Sequence, residues 1–121
     1  MKAMKKVLPL MLGAAIALPV SAAPLKIGMS FQELNNPYFV TMKQALEEAA
    51  ASVGATVVIT DARHDVAKQI SDVGDMIQKK IDILLLNPTD STGVEGAVKS
   101  AKAAGLVAAV DANAKGPVDT F

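Results

Sequence analysis

The sequence predicts an open, doubly wound α/β fold built on a parallel sheet, and three observations predict it. Short aliphatic and β-branched runs alternate with longer stretches whose apolar residues recur at spacings of three and four. The short runs place apolar residues at consecutive positions, as strands covered on both faces of a parallel sheet do. Gly, Pro, Asn and Asp residues mark the junctions between runs and stripes.

The first 22 residues stand apart from this pattern. Lys2, Lys5 and Lys6 precede an uncharged apolar run over residues 7–18, and Pro19-Val-Ser-Ala-Ala23 follows with the small residues a signal peptidase reads. A helical run of that length reaches only ~18 Å, against the ~30 Å of a bilayer core, so it reads as a cleavable secretory signal peptide over residues 1–22 and not as an anchor. The mature chain is then residues 23–121. Removing three lysines leaves nine basic against twelve acidic residues, a mildly acidic exported protein expected in the periplasm.

Each later element follows in order. Residues 25–31 form the first strand, and Pro37 suits the first turn of a helix whose stripe is Phe39, Met42, Ala45, Leu46, Ala49 and Ala50. Gly54 stands where a helix C-cap favours positive φ, before a strand over residues 55–60. Val66, Ile70, Val73 and Ile77 form the second stripe, interrupted by Gly74, which costs a helix about 1 kcal/mol relative to Ala. A strand over residues 82–87 leads to Thr92-Gly-Val-Glu95, which has the form of a capping box, and to the stripe Val94, Ala97, Val98 and Ala101. Gly105, a second candidate for a positive-φ C-cap, precedes the fourth strand, residues 106–111.

Composition excludes several chemistries. Without Cys there is no disulfide, thiolate metal site, cysteine nucleophile or lipidated cysteine, and a chain of zero net charge offers no basic face to nucleic acid. After the first strand stands Gly28-Met-Ser-Phe-Gln-Glu33 in place of G-x-G-x-x-G, and neither a phosphate-binding P-loop nor a G-x-S-x-G elbow occurs. His64, the one histidine, has no second His or Cys at ligand spacing and reads as a solvated loop residue, so no metal and no cofactor is expected.

Ligands of doubly wound sheets bind at the carboxyl ends of the strands, which here means residues 32–36, 61–65, 88–91 and 112–117. Of the four aromatic residues in the sequence, Phe31, Tyr38 and Phe39 fall within nine positions around the first of these loops, beside Asn35 and Asn36. Rings next to amides suit a sugar, whose C–H faces stack while its hydroxyls seek polar partners; equally, Phe39 opens a helical core stripe. Asp90 and Asp111 follow the third and end the fourth strand, as acceptors for hydroxyls or as caps of the adjoining turns, Asp111 with Asn113.

Leu25-Lys-Ile-Gly-Met-Ser-Phe31, Leu34-Asn-Asn-Pro-Tyr-Phe39 and Ile83-Leu-Leu-Leu-Asn-Pro-Thr-Asp90 together resemble the ribose-binding-protein family of periplasmic substrate-binding proteins. The resemblance runs over nearly all of residues 25–121. It implies a Rossmann-like first lobe of a two-lobed protein, with the second lobe absent from a chain less than half the family's length. It also implies that Asn36, Tyr38 and Phe39 bind and sandwich a sugar, and that Asp111 accepts its hydroxyls. The ribose binders follow that Asp with Arg, whereas Ala112 stands here, which points to another pentose, hexose or polyol with Asn113 as a substitute partner. The implied role is non-enzymatic: delivery of a monosaccharide or sugar alcohol to an ABC permease, with a chemoreceptor as a further partner. A small flavodoxin-like α/β enzyme and a non-functional remnant of the binding protein are the alternatives. With one lobe alone, residues 106–110 are expected to present an unpaired apolar strand edge.

Overall fold

A computed structural model of the chain describes residues 23–121; the signal-peptide reading of residues 1–22 lies outside the described residues. The order is β1 (Lys26–Phe31), α1 (Pro37–Ser52), β2 (Thr56–Asp61), α2 (Val66–Gln78), β3 (Ile83–Leu86), α3 (Glu95–Ala104) and β4 (Leu106–Ala109). All strands are parallel in the spatial order β2-β1-β3-β4, so the winding reverses between β1 and β3. Among the described residues no helix is long and apolar enough to cross a membrane.

Alternation along the strands divides the core in two. Met29 and Phe31 point to one face and pack with Phe39, Met42 and Leu46 of α1. Leu84, Leu86, Val107 and Ala109 point to the other and pack with Val73 and Met76 of α2 and with Val98 and Ala101 of α3. The three-layer arrangement is the one expected of a doubly wound sheet. β2 is exposed at Thr56 and half-buried from Val57 on, because it forms the sheet's edge and is not fully covered on both faces as its apolar run implied.

Several local expectations are corrected. In α1, Ala45 and Ala49 are exposed. In α2, Ile70 is 42% exposed, and the buried positions are Gln69, Val73 and Met76. The second stripe is therefore centred one residue earlier, with a glutamine in it. The capping box does not form, because Asp90 Oδ1 already accepts from Thr92 N (2.9 Å) and Gly93 N (2.7 Å), while Glu95 pairs with Lys99 and Lys115. Gly54 has φ +70°, as expected, but Gly105 is extended (φ 179°). What Gly105 needs is space, since a Cβ would lie 2.4 Å from the Asp82 carbonyl oxygen. Around Gly74 a Cβ meets nothing within 4 Å. Gly74→Ala is accordingly expected to raise stability by about 0.5–1 kcal/mol, read as a higher urea midpoint at unchanged slope.

β4 also departs from expectation, ending at Ala109 with its outer edge paired. Asp119 N donates to the Val107 carbonyl (2.8 Å), Ala109 N donates to the Thr120 carbonyl (2.9 Å), and Ala108 and Thr120 form a parallel bridge. The Asp119 carboxylate fastens this segment, accepting from Val107 N (2.8 Å) and from Lys102 Nζ (2.5 Å). The Lys102 hydrogen bond, then that of Val107, hold the Asp119 carboxyl below its ordinary value. A depressed folded-state value means that the contribution is complete above the unfolded carboxylate's value and is lost as pH falls through the folded one. The bridge to β4 is expected to open on acidification, seen as loss of amide protection at Ala109 and Asp119, and Asp119→Asn should weaken it already at neutral pH.

Candidate functional site

The reversal between β1 and β3 leaves a crevice at their carboxyl ends, where the loops after β1, β3 and β4 meet. The first loop ends in a helix cap. Asn36 has extended backbone (φ −99°, ψ 124°), its Oδ1 accepts from Tyr38 N (3.0 Å), and its carbonyl accepts from Phe39 N and Val40 N. Pro37 occupies the first turn, where its missing N–H costs nothing. The cap uses the Asn36 oxygen and leaves Nδ2 without a partner among the described residues. Asn36→Ala should cost about 1 kcal/mol as a lost cap, while Asn36→Asp should keep that stability and remove only the donor, a contrast that thermal unfolding resolves.

The two rings have different roles. Tyr38 is 57% exposed, and its ring stands edge-to-face on Phe39 at 5.3 Å between centroids. Phe39 is only 4% exposed and lies 6.1 Å from Phe31, so it belongs to the core and holds Tyr38 from below. Helical spacing rightly marked it as a core residue. Of the pair, Tyr38 is the ring accessible to solvent.

Asp111 does not end β4 but follows it by two residues in a left-handed turn (φ +67°), with its exposed carboxylate accepting from Asn87 Nδ2 at 3.4 Å. Asn113 is exposed, and its carbonyl accepts from Ser91 Oγ (2.5 Å), while Lys115 N donates to the Ser91 carbonyl. The third and fourth loops are therefore tied together. Asp90 caps the turn into α3, as described above.

Beneath the rim lies a polar network that the sequence reading missed. Ser30, Gln69 and Asn87 are all 0% exposed. Gln69 Nε2 donates to Ser30 Oγ (3.0 Å) and to the Asn87 carbonyl (2.9 Å), and its Oε1 accepts from Thr89 N (2.8 Å) and Thr89 Oγ1 (2.5 Å). Asn87 Oδ1 accepts from Gln32 N (3.1 Å), and its Nδ2 also reaches the Val110 carbonyl (3.3 Å). One available signal was Gln69 itself, three residues after Val66 and four before Val73, a polar residue at a core position.

His64 is tethered to its neighbour loop. Its Nε2 lies 2.6 Å from Glu33 Oε2, and its amide donates to the Gln32 carbonyl. Glu33, Asn35, Asp61, Arg63 and His64 line a polar groove of about 290 Å³ on the β1–β2 side of the rim. Among the described residues no group of three or more His, Asp or Glu side chains is placed to hold a metal ion.

Residues 27–121 match the family model of the periplasmic binding protein domain. The chain belongs to this family. It is 48% identical over 97 residues to the ribose import binding protein RbsB of Bacillus subtilis, covering 78% of this chain and 32% of that protein. The corresponding Escherichia coli protein is 37% identical over 106 residues, 85% of this chain and 36% of its own. Among solved structures, the solute-binding protein of an ABC transporter from Mycobacterium smegmatis with bound glycerol superposes with a TM-score of 0.75 at 33% identity, covering 79% of this chain and 34% of that one. The Caulobacter myo-inositol binding protein bound to myo-inositol gives 0.73 at 32% identity, covering 81% and 36%. The chain thus spans about a third of the length of these periplasmic binding proteins.

Proposed function

We propose that this chain forms one lobe of a site for a monosaccharide or sugar alcohol, as the substrate-binding component of a sugar ABC transporter in the periplasm. The observation that carries the reading is the rim, where Asn36 and Asp111 stand on loops joined through Asn87 and Tyr38 follows in the first turn of α1. An exposed ring stacks on the C–H face of a sugar, an amide N–H donates to a hydroxyl oxygen, and a carboxylate accepts hydroxyl protons. Asp111 is the strongest acceptor of the three, since hydrogen bonds to an ionised group are roughly twice as strong as neutral ones. The binding cycle needs no covalent step, so the component works as a receptor and not as an enzyme, and its occupied form is what a permease or chemoreceptor recognises.

Ala112 after Asp111 removes the guanidinium fork of the ribose binders, and the glycerol and myo-inositol bound to two structural relatives are polyols. A polyol or a sugar other than ribose therefore suits the rim best, with Asn113 beside it. One lobe supplies only part of the contacts, so affinity is expected to be weak, roughly millimolar, or about −4 kcal/mol.

Tyr38 is the only tyrosine in a sequence without tryptophan, so intrinsic fluorescence reports on the rim itself. Titration with glycerol, myo-inositol, D-xylose and D-ribose should give a saturable change with at least one of them, abolished in Asp111→Ala. A response that stays linear for all four, or one that survives Asp111→Ala unchanged, overturns the reading.

A further inference from the structure

We infer that Asn87 is a positioning residue of the rim, a single buried carboxamide that holds Asp111 on one side and the start of the first loop on the other. Both halves of the amide are used. Oδ1 accepts from Gln32 N, and Nδ2 donates to the Val110 carbonyl and to Asp111 Oδ2, partners 55, 23 and 24 residues away in sequence. Reversing the amide would set Oδ1 against two oxygens and Nδ2 against an N–H, so the network itself fixes the orientation.

The backbone of Asn87 is pinned as well. Its N–H donates to the Ser30 carbonyl (2.9 Å), and its own carbonyl accepts from the fully buried Gln69. The side chain therefore projects from a fixed point at the winding reversal, within reach of two loops that neither α1 nor α3 joins. Asp111 is the loop residue that needs such help, since a left-handed backbone is unfavourable for any residue with a Cβ, though Asp tolerates it better than most. At 3.3 and 3.4 Å the two Nδ2 contacts are long, so the amide orients Asp111 without saturating it. The remaining lone pairs of the exposed carboxylate stay open.

The consequence for ligand rests on the function proposed above. With Asn87 in place, the spacing between Asp111 and the first loop is set before any ligand arrives, and that spacing selects the hydroxyl pattern that fits. Asn87 acts through Asp111 and Gln32 and touches no ligand in this scheme.

Nitrogen-15 NMR of the full chain tests the inference without a sugar. In Asp111→Ala, a truncation at an exposed residue, the Asn87 side-chain amide cross-peaks should move while cross-peaks remote from the rim keep their positions. Asn87 cross-peaks that stay in place overturn it. As a second readout, Asn87→Asp retains an oxygen for Gln32 N but sets a carboxylate against Asp111, and any saturable Tyr38 response should weaken at least tenfold; an undiminished response in the folded variant overturns the inference. The two readings fail separately. An Asn87 shift that is present in a protein whose Tyr38 ignores all four ligands overturns the binding function and leaves the positioning role standing.

Discussion

Phe31→Ala is expected to remove about 3–5 kcal/mol of folding stability, the usual cost of truncating a fully buried Phe. Phe31 is 0% exposed at the end of the central strand β1 and packs with Met29 and Phe39 in the smaller of the two cores. A domain of this size has roughly 5–15 kcal/mol in total, so the loss is a large fraction of it. Urea unfolding followed by circular dichroism should show a much lower midpoint. The consequence extends to the rim. Phe39 leans on Phe31, and Tyr38 stands on Phe39, so the Tyr38 emission of the folded variant should shift as well. A Phe31→Ala protein with an unchanged midpoint would mean that the ring contributes nothing to the α1 face of the sheet.

Gln69→Leu should also destabilise, by about 2–4 kcal/mol, even though it places an apolar side chain of similar size in the core. Hydrophobicity alone predicts the opposite sign. Leucine offers no donor to Ser30 Oγ or the Asn87 carbonyl and no acceptor to Thr89 N, so buried polar groups are left unpaired at about 1–3 kcal/mol each, partly relieved by relaxation. The loss should also reach function, because Gln69 holds the backbone from which Asn87 projects. The same urea experiment decides the matter, and a Gln69→Leu variant as stable as the parent would sink the network as drawn.

These two residues show what a sequence reveals and what it hides. Phe31 and Phe39 were legible because a rare residue type was concentrated at one loop and because apolar spacing marks core positions. The four strands, the start of α1 at Asn36-Pro37 and the turn at Gly54 were legible for a similar reason, since each depends on local chemistry. Gln69 was not. Periodicity treats a polar residue as surface, so the stripe was assigned to Ile70, and what buries Gln69 is a set of partners on β1 and after β3 that no local window contains.

Asp111 fell between these cases. Its place near the rim followed from the strand pattern, but β4 stops at Ala109 and Asp111 stands beyond it in a left-handed turn, which an apolar run does not reveal. The capping box failed because Asp90 takes the Thr92 amide that the Glu95 side chain was expected to cap. Gly105 was correctly marked as special and given the wrong cause, because a close approach to the Asp82 carbonyl is a tertiary fact.

The central claim is that the carboxyl ends of β1, β3 and β4 receive a sugar or polyol, and an amide chemical-shift map tests it most directly. Nitrogen-15-labelled chain titrated with myo-inositol, glycerol, D-xylose and D-ribose should show saturable shifts concentrated at Gln32, Asn36, Tyr38, Asp111 and Asn113 for at least one ligand. Shifts confined to the opposite end of the sheet, around Ile77, Lys80 and Asp82, or absent for every ligand up to concentrations well above the millimolar range, would contradict it.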